Sequence, residues 1–72
     1  MSTETIRSPS TGMTRRTTIG KRWAVICQQD ETAPCDMLTF VTREQAERCN
    51  DRLYRAFRPV VHYVERAEQV PA

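Results

Sequence analysis

The sequence predicts a small α+β domain in which a three-stranded antiparallel sheet carries one helix on one face. Three short runs of β-forming residues and one stretch of helical periodicity predict it, in the order β-β-α-β. The chain has 72 residues, of which 39% are apolar and 28% charged, so it can form one domain at most. We expect this domain over residues 21–67, with a disordered tail over 1–20 and a frayed C-terminus over 68–72.

The predicted tail is basic and rich in small polar residues. Residues 1–20 contain nine serines and threonines, and their few apolar residues follow no period. Such a segment buries too little apolar surface to offset the entropy lost on ordering, so it should stay disordered. Deleting residues 1–19 is therefore expected to leave the melting temperature almost unchanged.

The first two predicted strands form a hairpin. Residues 22–28 include five successive apolar residues, and a strand that is apolar on both faces usually lies inside a sheet. Residues 29–36 contain acids and a proline, which indicate a connecting loop. Residues 37–41 then form the second strand, which pairs antiparallel with the first.

A helix is predicted over residues 42–57. Thr42 and Gln45 fit a capping box, in which the threonine oxygen accepts a hydrogen bond from the Gln45 amide. Glu44 lies in the first turn, where the helix dipole stabilises a negative charge. The helix should end before Arg58, because a residue that precedes proline disfavours the α region.

The apolar residues of this helix predict which of its faces is buried. At 100° per residue they fall within an arc of about 100°, as expected for a helix that packs on a sheet. These core-facing residues are Ala46, Cys49, Leu53, Ala56 and Phe57.

The third predicted strand, residues 60–65, fixes the topology. Right-handed crossover through the helix places it beside the first strand, which gives the strand order 2-1-3. The first strand is then central, in agreement with its unbroken apolar run.

One sheet face remains uncovered in this arrangement. A single helix covers one face, yet the predicted strands carry apolar residues on both faces. An uncovered apolar patch usually marks an interface, so we expect a homodimer or a complex with a larger protein partner. The interface residues predicted for this face and its edge are Trp23, Ile26, Met37, Val60 and Val64.

Arginines suggest an alternative surface for nucleic acid. Four of them lie on the exposed side of the helix, within an arc of about 120°, and others precede the first strand. They either contact phosphates or form a solvated surface with neighbouring acids, and the second interpretation is favoured because no base-reading motif accompanies them. The nucleic-acid-binding residues predicted by this alternative are Arg15, Arg16, Arg22, Arg48, Arg52, Arg55 and Arg58.

No chemical motif predicts an enzyme, and we expect no catalytic residue, cofactor or small-molecule substrate. Cys27, Cys35, Cys49 and His62 supply zinc-binding atoms, but their spacing contains no C-x-x-C or H-x-x-x-H pair, so no metal is expected. His62 is interpreted as a strand residue, because no nucleophile or orienting carboxylate can be assigned to it from spacing.

The location predicted from the sequence is the cytoplasm. No window approaches 18 consecutive apolar residues, and the N-terminus lacks the apolar core of a secretory signal, so no membrane association is expected. The three cysteines, an odd number, should be free thiols in a reducing compartment.

A predicted β-hairpin that carries Trp23 leads through Thr39, Phe40, Thr42, Glu44 and Ala46 into a helix, and this pattern resembles the arm-type DNA-binding modules of phage integrases. Those modules build three strands before the helix, whereas this chain is expected to place its third strand after it, so no site residue is assigned from the resemblance.

The sequence thus predicts a small non-enzymatic protein-interaction module that acts through the uncovered sheet face and edge. Its size and arginine content suggest an accessory or inhibitory protein of a phage or mobile element. The alternative is a nucleic-acid-binding accessory protein that uses the helix arginines and the basic tail.

Overall fold

Six strands and one helix follow one another along residues 2–71, the part of the chain that the computed structural model describes. The strands form two antiparallel sheets, in the orders β2-β1-β6 and β4-β3-β5. The predicted α+β class is confirmed, but the second sheet was not predicted. The elements are β1 Thr3–Arg7, β2 Thr14–Thr18, β3 Trp23–Gln28, β4 Asp36–Phe40, α1 Arg43–Phe57, β5 Val61–Arg66 and β6 Glu68–Gln69.

The β4-β3-β5 sheet is the one that the sequence predicted. Its central strand is β3, where Val25 lies opposite Leu38 of β4 and Val64 of β5. The predicted order 2-1-3 is therefore confirmed for this sheet. Both faces of β3 are buried, since Ala24, Val25 and Ile26 are all 0% exposed, which explains the unbroken apolar run.

Helix α1 begins and ends as its sequence predicts. The Oγ1 atom of Thr42 accepts a hydrogen bond from the Gln45 amide at 3.1 Å, which fixes the first turn. At the other end Arg58 adopts a left-handed conformation (φ 44°), and its N–H donates to the Tyr54 carbonyl. Of the predicted core-facing residues, Ala46 is fully buried, whereas Phe57 remains 60% exposed beyond the end of the sheet.

The helix covers one side of this sheet, here called the helix side. Arg43 lies over the Trp23 ring, and Asn50 Oδ1 lies 3.2 Å from His62 Nδ1. Because side chains alternate along a strand, Val25 shares this side with Trp23 and is fully buried beneath α1.

A β-hairpin occupies the segment that was expected to be a disordered tail. Strands β1 and β2 pair along their whole length, and Gly12 (φ 77°) allows the tight turn between them. The prediction of disorder over residues 1–20 was wrong for these strands, because it weighed only apolar content. Threonine-rich strands are good β-formers even with a single large apolar residue.

The hairpin covers the other side of the β4-β3-β5 sheet, here called the hairpin side. Ile6 of β1 is fully buried against Ala24 and Ile26, together with Met37 and Ala67. The expectation of an uncovered apolar face is therefore wrong. The chain covers this face with its own N-terminal residues.

Polar contacts reinforce the packing of the hairpin. The buried Ser8 hydroxyl donates to Oε1 of Glu65 in β5. The carboxylate of Glu4, 6% exposed, forms an ion pair with Arg22 at 3.1 Å and accepts a hydrogen bond from the Gly20 amide at 2.9 Å. Buried polar groups need hydrogen-bonding or charged partners. The partners of Ser8 and Glu4 all lie outside β1 and β2, so these contacts join the hairpin to the rest of the chain.

The C-terminal residues also differ from their prediction. Glu68 and Gln69 form β6 opposite β1, and the Val70 amide donates to the Thr5 carbonyl at 2.9 Å. The frayed terminus expected over residues 68–72 is therefore a strand in its first part. Met1 and Ala72, the ends of the two predicted tails, lie outside the described residues.

Within residues 2–71, no helix combines the length and the apolar character that crossing a membrane requires.

Candidate functional site

A groove of about 510 Å³ runs between α1 and β4, and we call it the β4 groove. Two elements form its walls, the C-terminal end of β4 and the first three turns of α1, and one residue from the link before β3 closes it. The lining residues are Lys21, Thr39, Phe40, Val41, Gln45, Arg48, Cys49 and Arg52.

Three cations lie at this groove. Arg48 and Arg52 are four residues apart, so helical geometry turns both to the same side of α1. Lys21 reaches the groove from the opposite direction, because Trp23 pairs with Phe40 and the chain just before β3 therefore lies beside the end of β4.

These cations leave the β4 groove with a net positive charge. Arg48 forms an ion pair with Glu44 at 2.5 Å, and both side chains are about 70% exposed. Within residues 2–71, Lys21 and Arg52 belong to none of the ion pairs. No carboxylate is among the lining residues, and Glu44 offsets part of the charge of Arg48 alone, so the groove keeps an excess of positive charge.

Apolar and neutral polar side chains complete the groove. Phe40 and Cys49 are half-buried, and Val41 is 55% exposed. Gln45 offers a hydrogen-bond donor and an acceptor without charge, whereas the Thr39 hydroxyl is hydrogen-bonded to the Thr17 hydroxyl at 3.0 Å. The groove thus combines an aromatic side chain with cationic ones.

A second depression of about 440 Å³ continues the positive surface along α1. It shares Arg48 and Arg52 with the β4 groove and adds Arg55, with Asp51 as its one carboxylate. Arg58 is exposed at the end of the helix. All four predicted helix arginines are therefore on the surface.

The opposite flank of α1, beside β5, has a different charge. A groove there is lined by two carboxylates, Glu47 and Asp51, and by the single cation Arg43. Arg43 is already paired with Glu47 at 2.9 Å. The exposed arginines thus make only the β4 flank of the helix positive.

The N-terminal arginines that the nucleic-acid alternative included have structural partners. Arg15 donates to the Met37 carbonyl at the edge of β4, and Arg16 Nε donates to Thr3 Oγ1 at 2.8 Å. Arg22 pairs with the buried Glu4. These three side chains hold the hairpin and are not brought to the β4 groove.

The predicted protein-interface residues do not form one surface. Ile26 and Met37 are buried on the hairpin side, 0% and 2% exposed. Trp23 and Val64 lie on the helix side, half-buried, with the Trp23 ring between two arginine guanidinium groups at 5.8 and 5.7 Å. Only Val60 is largely exposed, at 56%.

The residues with catalytic or metal-binding atoms are arranged for structure. Cys27 lies between Asp36 and His62 across the sheet, and burial, with further contributions from Asp36 and the neighbouring thiols, raises the pKa of the Cys27 thiol. A raised pKa keeps the thiol protonated and makes it a poor nucleophile. His62 stacks on Tyr54 with ring centroids 4.8 Å apart. Among residues 2–71 no group of three His, Cys, Asp or Glu side chains is arranged to hold a metal ion.

The acidic loop before β4 is a turn. Hydrogen bonds from the Thr32 hydroxyl and from the Thr32 and Ala33 amides lower the pKa of Asp30. Asp30 thereby fixes the local backbone as an Asx turn, which is a structural role.

Sequence reasoning missed Phe40 as a candidate site residue. Its position in a strand identified it only as an apolar residue of the sheet, since alternation does not show which strand end an adjacent helix leaves open. Cys49 was assigned to the core and Gln45 to the helix cap, and both also line the groove.

No family model matches the chain, and the searches of curated proteins and of solved structures found no match.

Proposed function

We propose that this protein is a small non-enzymatic binding protein whose partner is nucleic acid. The phosphates of the nucleic acid contact the cations of the β4 groove and Arg55 in the neighbouring depression. The observation that carries the proposal is the asymmetry of α1. Its β4 flank presents Lys21, Arg48 and Arg52 without a carboxylate in the groove, whereas its β5 flank carries two carboxylates.

The arrangement suits contact with phosphates. Arginine and lysine side chains that neutralise phosphates release condensed counterions, which drives binding and makes it sensitive to salt. A surface with three or four such cations supports moderate affinity, typical of an accessory protein that binds without strong sequence preference.

The test compares two variants with the same change in net charge. In the groove variant, Lys21, Arg48 and Arg52 are all changed to glutamine. In the control variant, the same change is made at Arg7, Arg43 and Arg66, which are exposed but lie away from the groove. Fluorescence anisotropy with a labelled oligonucleotide of about 12 nucleotides measures the affinity at two salt concentrations.

We expect the wild-type protein to bind in a salt-dependent manner and the groove variant to lose at least ten-fold in affinity, about 1.4 kcal/mol. The slope of log affinity against log salt should flatten by about 2, since each contact to a single strand contributes about 0.7. The control variant should bind nearly as well as the wild type. Equal losses in both variants, or no binding by the wild type at low salt, would contradict the proposal.

A second candidate is binding of a protein partner at the C-terminal end of α1. Tyr54, Phe57 and Val60 are 51%, 60% and 56% exposed there, next to Arg55 and Arg58. Aromatic residues and arginine are enriched in protein interfaces, which favours this end of the helix over the covered sheet face. Val60 is the predicted interface residue that this surface retains.

Light scattering tests the second candidate. If this surface mediates self-association, Phe57→Asp should convert a dimer to a monomer at micromolar concentration. Ile19→Asp serves as the matched control, because Ile19 is also apolar and 55% exposed but lies in the link between β2 and β3. A wild-type monomer would remove the support for self-association.

A further inference from the structure

We infer that the β4 groove accepts a single strand rather than a duplex, with a nucleobase stacked on Phe40 and flanking phosphates at Lys21, Arg48 and Arg52. This inference rests on the proposed function and names the class of nucleic acid that the groove fits.

The outermost part of α1 argues against a duplex. Glu44, Glu47 and Asp51 are exposed there beside the exposed Arg48, Arg55 and Arg58, so this side carries as many acids as bases. A helix that enters the major groove brings its outer side close to two phosphate strands, which would repel the three carboxylates. A groove without a lining carboxylate lies instead on the β4 flank, beside the sheet.

The floor of the groove provides a stacking surface. Phe40 is half-buried and lines the groove next to the exposed Val41, so its side chain is partly accessible there. Proteins that bind single strands combine a positive groove with such aromatic platforms, because every base has an aromatic face. A duplex keeps its bases stacked inside and would leave Phe40 without a partner.

A neutral polar side chain lines the groove with Phe40. It belongs to Gln45 of α1, whereas the Thr39 hydroxyl is hydrogen-bonded to the Thr17 hydroxyl at 3.0 Å on the hairpin side. Unstacked bases present their Watson–Crick edges to groups of this kind. The groove volume of about 510 Å³ limits the site to a short stretch of one strand.

The experiment compares three labelled ligands of about 12 nucleotides: a single-stranded oligodeoxythymidylate, a mixed-sequence duplex, and an abasic strand with the same phosphates. The wild-type protein should bind the thymidylate strand about five-fold or more tightly than the abasic strand, and more tightly than the duplex. The abasic strand isolates the contribution of the bases without changing the protein.

Two substitutions locate the stacking surface. Phe40→Leu keeps an apolar side chain but removes the ring, and should weaken binding of the thymidylate strand about five-fold or more without affecting the abasic strand. Phe57→Leu is the matched control, since Phe57 is an exposed phenylalanine at the far end of α1, and it should have no effect. Phe40→Tyr keeps the ring and should preserve binding, which separates stacking from damage to the fold.

The outcomes separate this inference from the proposed function. If the thymidylate and abasic strands and the duplex bind equally and Phe40→Leu has no effect, the single-strand inference is overturned while phosphate binding stands. If no nucleic acid binds at low salt, the proposed function itself fails. Preference for the thymidylate strand that Phe40→Leu abolishes and Phe40→Tyr retains supports the inference.

Discussion

The two sides of the β4-β3-β5 sheet are covered in different ways. On the helix side, α1 packs its apolar face, with Ala46 buried, over Val25 of the sheet, and the amphipathic pattern of the helix is visible in its own sequence. On the hairpin side, the hairpin covers Ala24 and Ile26 with two large apolar residues, the buried Ile6 and the partly buried Met13 of its turn. Both sides are closed, but only the helix carries a pattern that identifies it as a cover.

This difference shows how little apolar surface a covering element needs when polar contacts position it. The hairpin is tied to the rest of the chain by the buried Ser8 hydroxyl on Glu65 and by the Glu4–Arg22 ion pair. A domain of this size has a marginal core, so each covered side is expected to be essential for stability. The following predictions test whether the hairpin side matters as much as the helix side.

Deletion of residues 1–19 should have the largest effect. It removes Ile6 and uncovers Ala24, Ile26 and Met37, which are at most 2% exposed in the full chain. We expect the cooperative thermal transition, measured by circular dichroism, to disappear. A truncated protein that melts within a few degrees of the full chain would show that the hairpin does not contribute to the core.

Ile6→Ala should have the next largest effect. Removing a buried isoleucine side chain down to alanine typically costs about 2–5 kcal/mol, because the cavity cannot fully collapse. Ile19→Ala is the matched control in the same segment, since Ile19 is 55% exposed, and it should cost less than about 0.5 kcal/mol. Urea denaturation measures the free energy of unfolding of both variants. Equal losses would contradict the conclusion that Ile6 is buried between the hairpin and the sheet.

Thr42→Ala should have a smaller effect on the helix side. The threonine oxygen satisfies the Gln45 amide in the first turn, and loss of such a cap costs about 1 kcal/mol. Thr42→Ser keeps the oxygen and should retain most of the stability. A loss of stability in the serine variant equal to that in the alanine variant would mean that the cap is not responsible.

The β4-β3-β5 sheet and α1 could be predicted because their signals are local. A run of apolar β-formers identified β3, and Thr42 with Gln45 marked the start of the helix. The hairpin lacked such a signal. Its one usable indication was a pair of threonine-rich segments separated by the turn residues Ser8–Met13, since threonine favours strands and glycine favours turns.

The candidate site was predictable only in part. Helical periodicity placed Arg48 and Arg52 on the exposed surface. It could not show which flank of α1 would form a groove that no carboxylate lines. That depends on how α1 is oriented on the sheet, and on Lys21 reaching the end of β4 from a distant part of the chain. Phe40 belongs to the groove for the same reason.

By itself the sequence determined the periodic elements of this protein: the central strand, its two neighbours, the helix and their order. Local hydrogen bonding and side-chain alternation decide these features, and both are written in short stretches of residues. The tertiary structure alone decided that residues 3–18 close the second side of the sheet and that the positive charge gathers at the β4 groove. Both outcomes depend on contacts between residues far apart in the chain, such as Ile6 with Ile26 and Ser8 with Glu65.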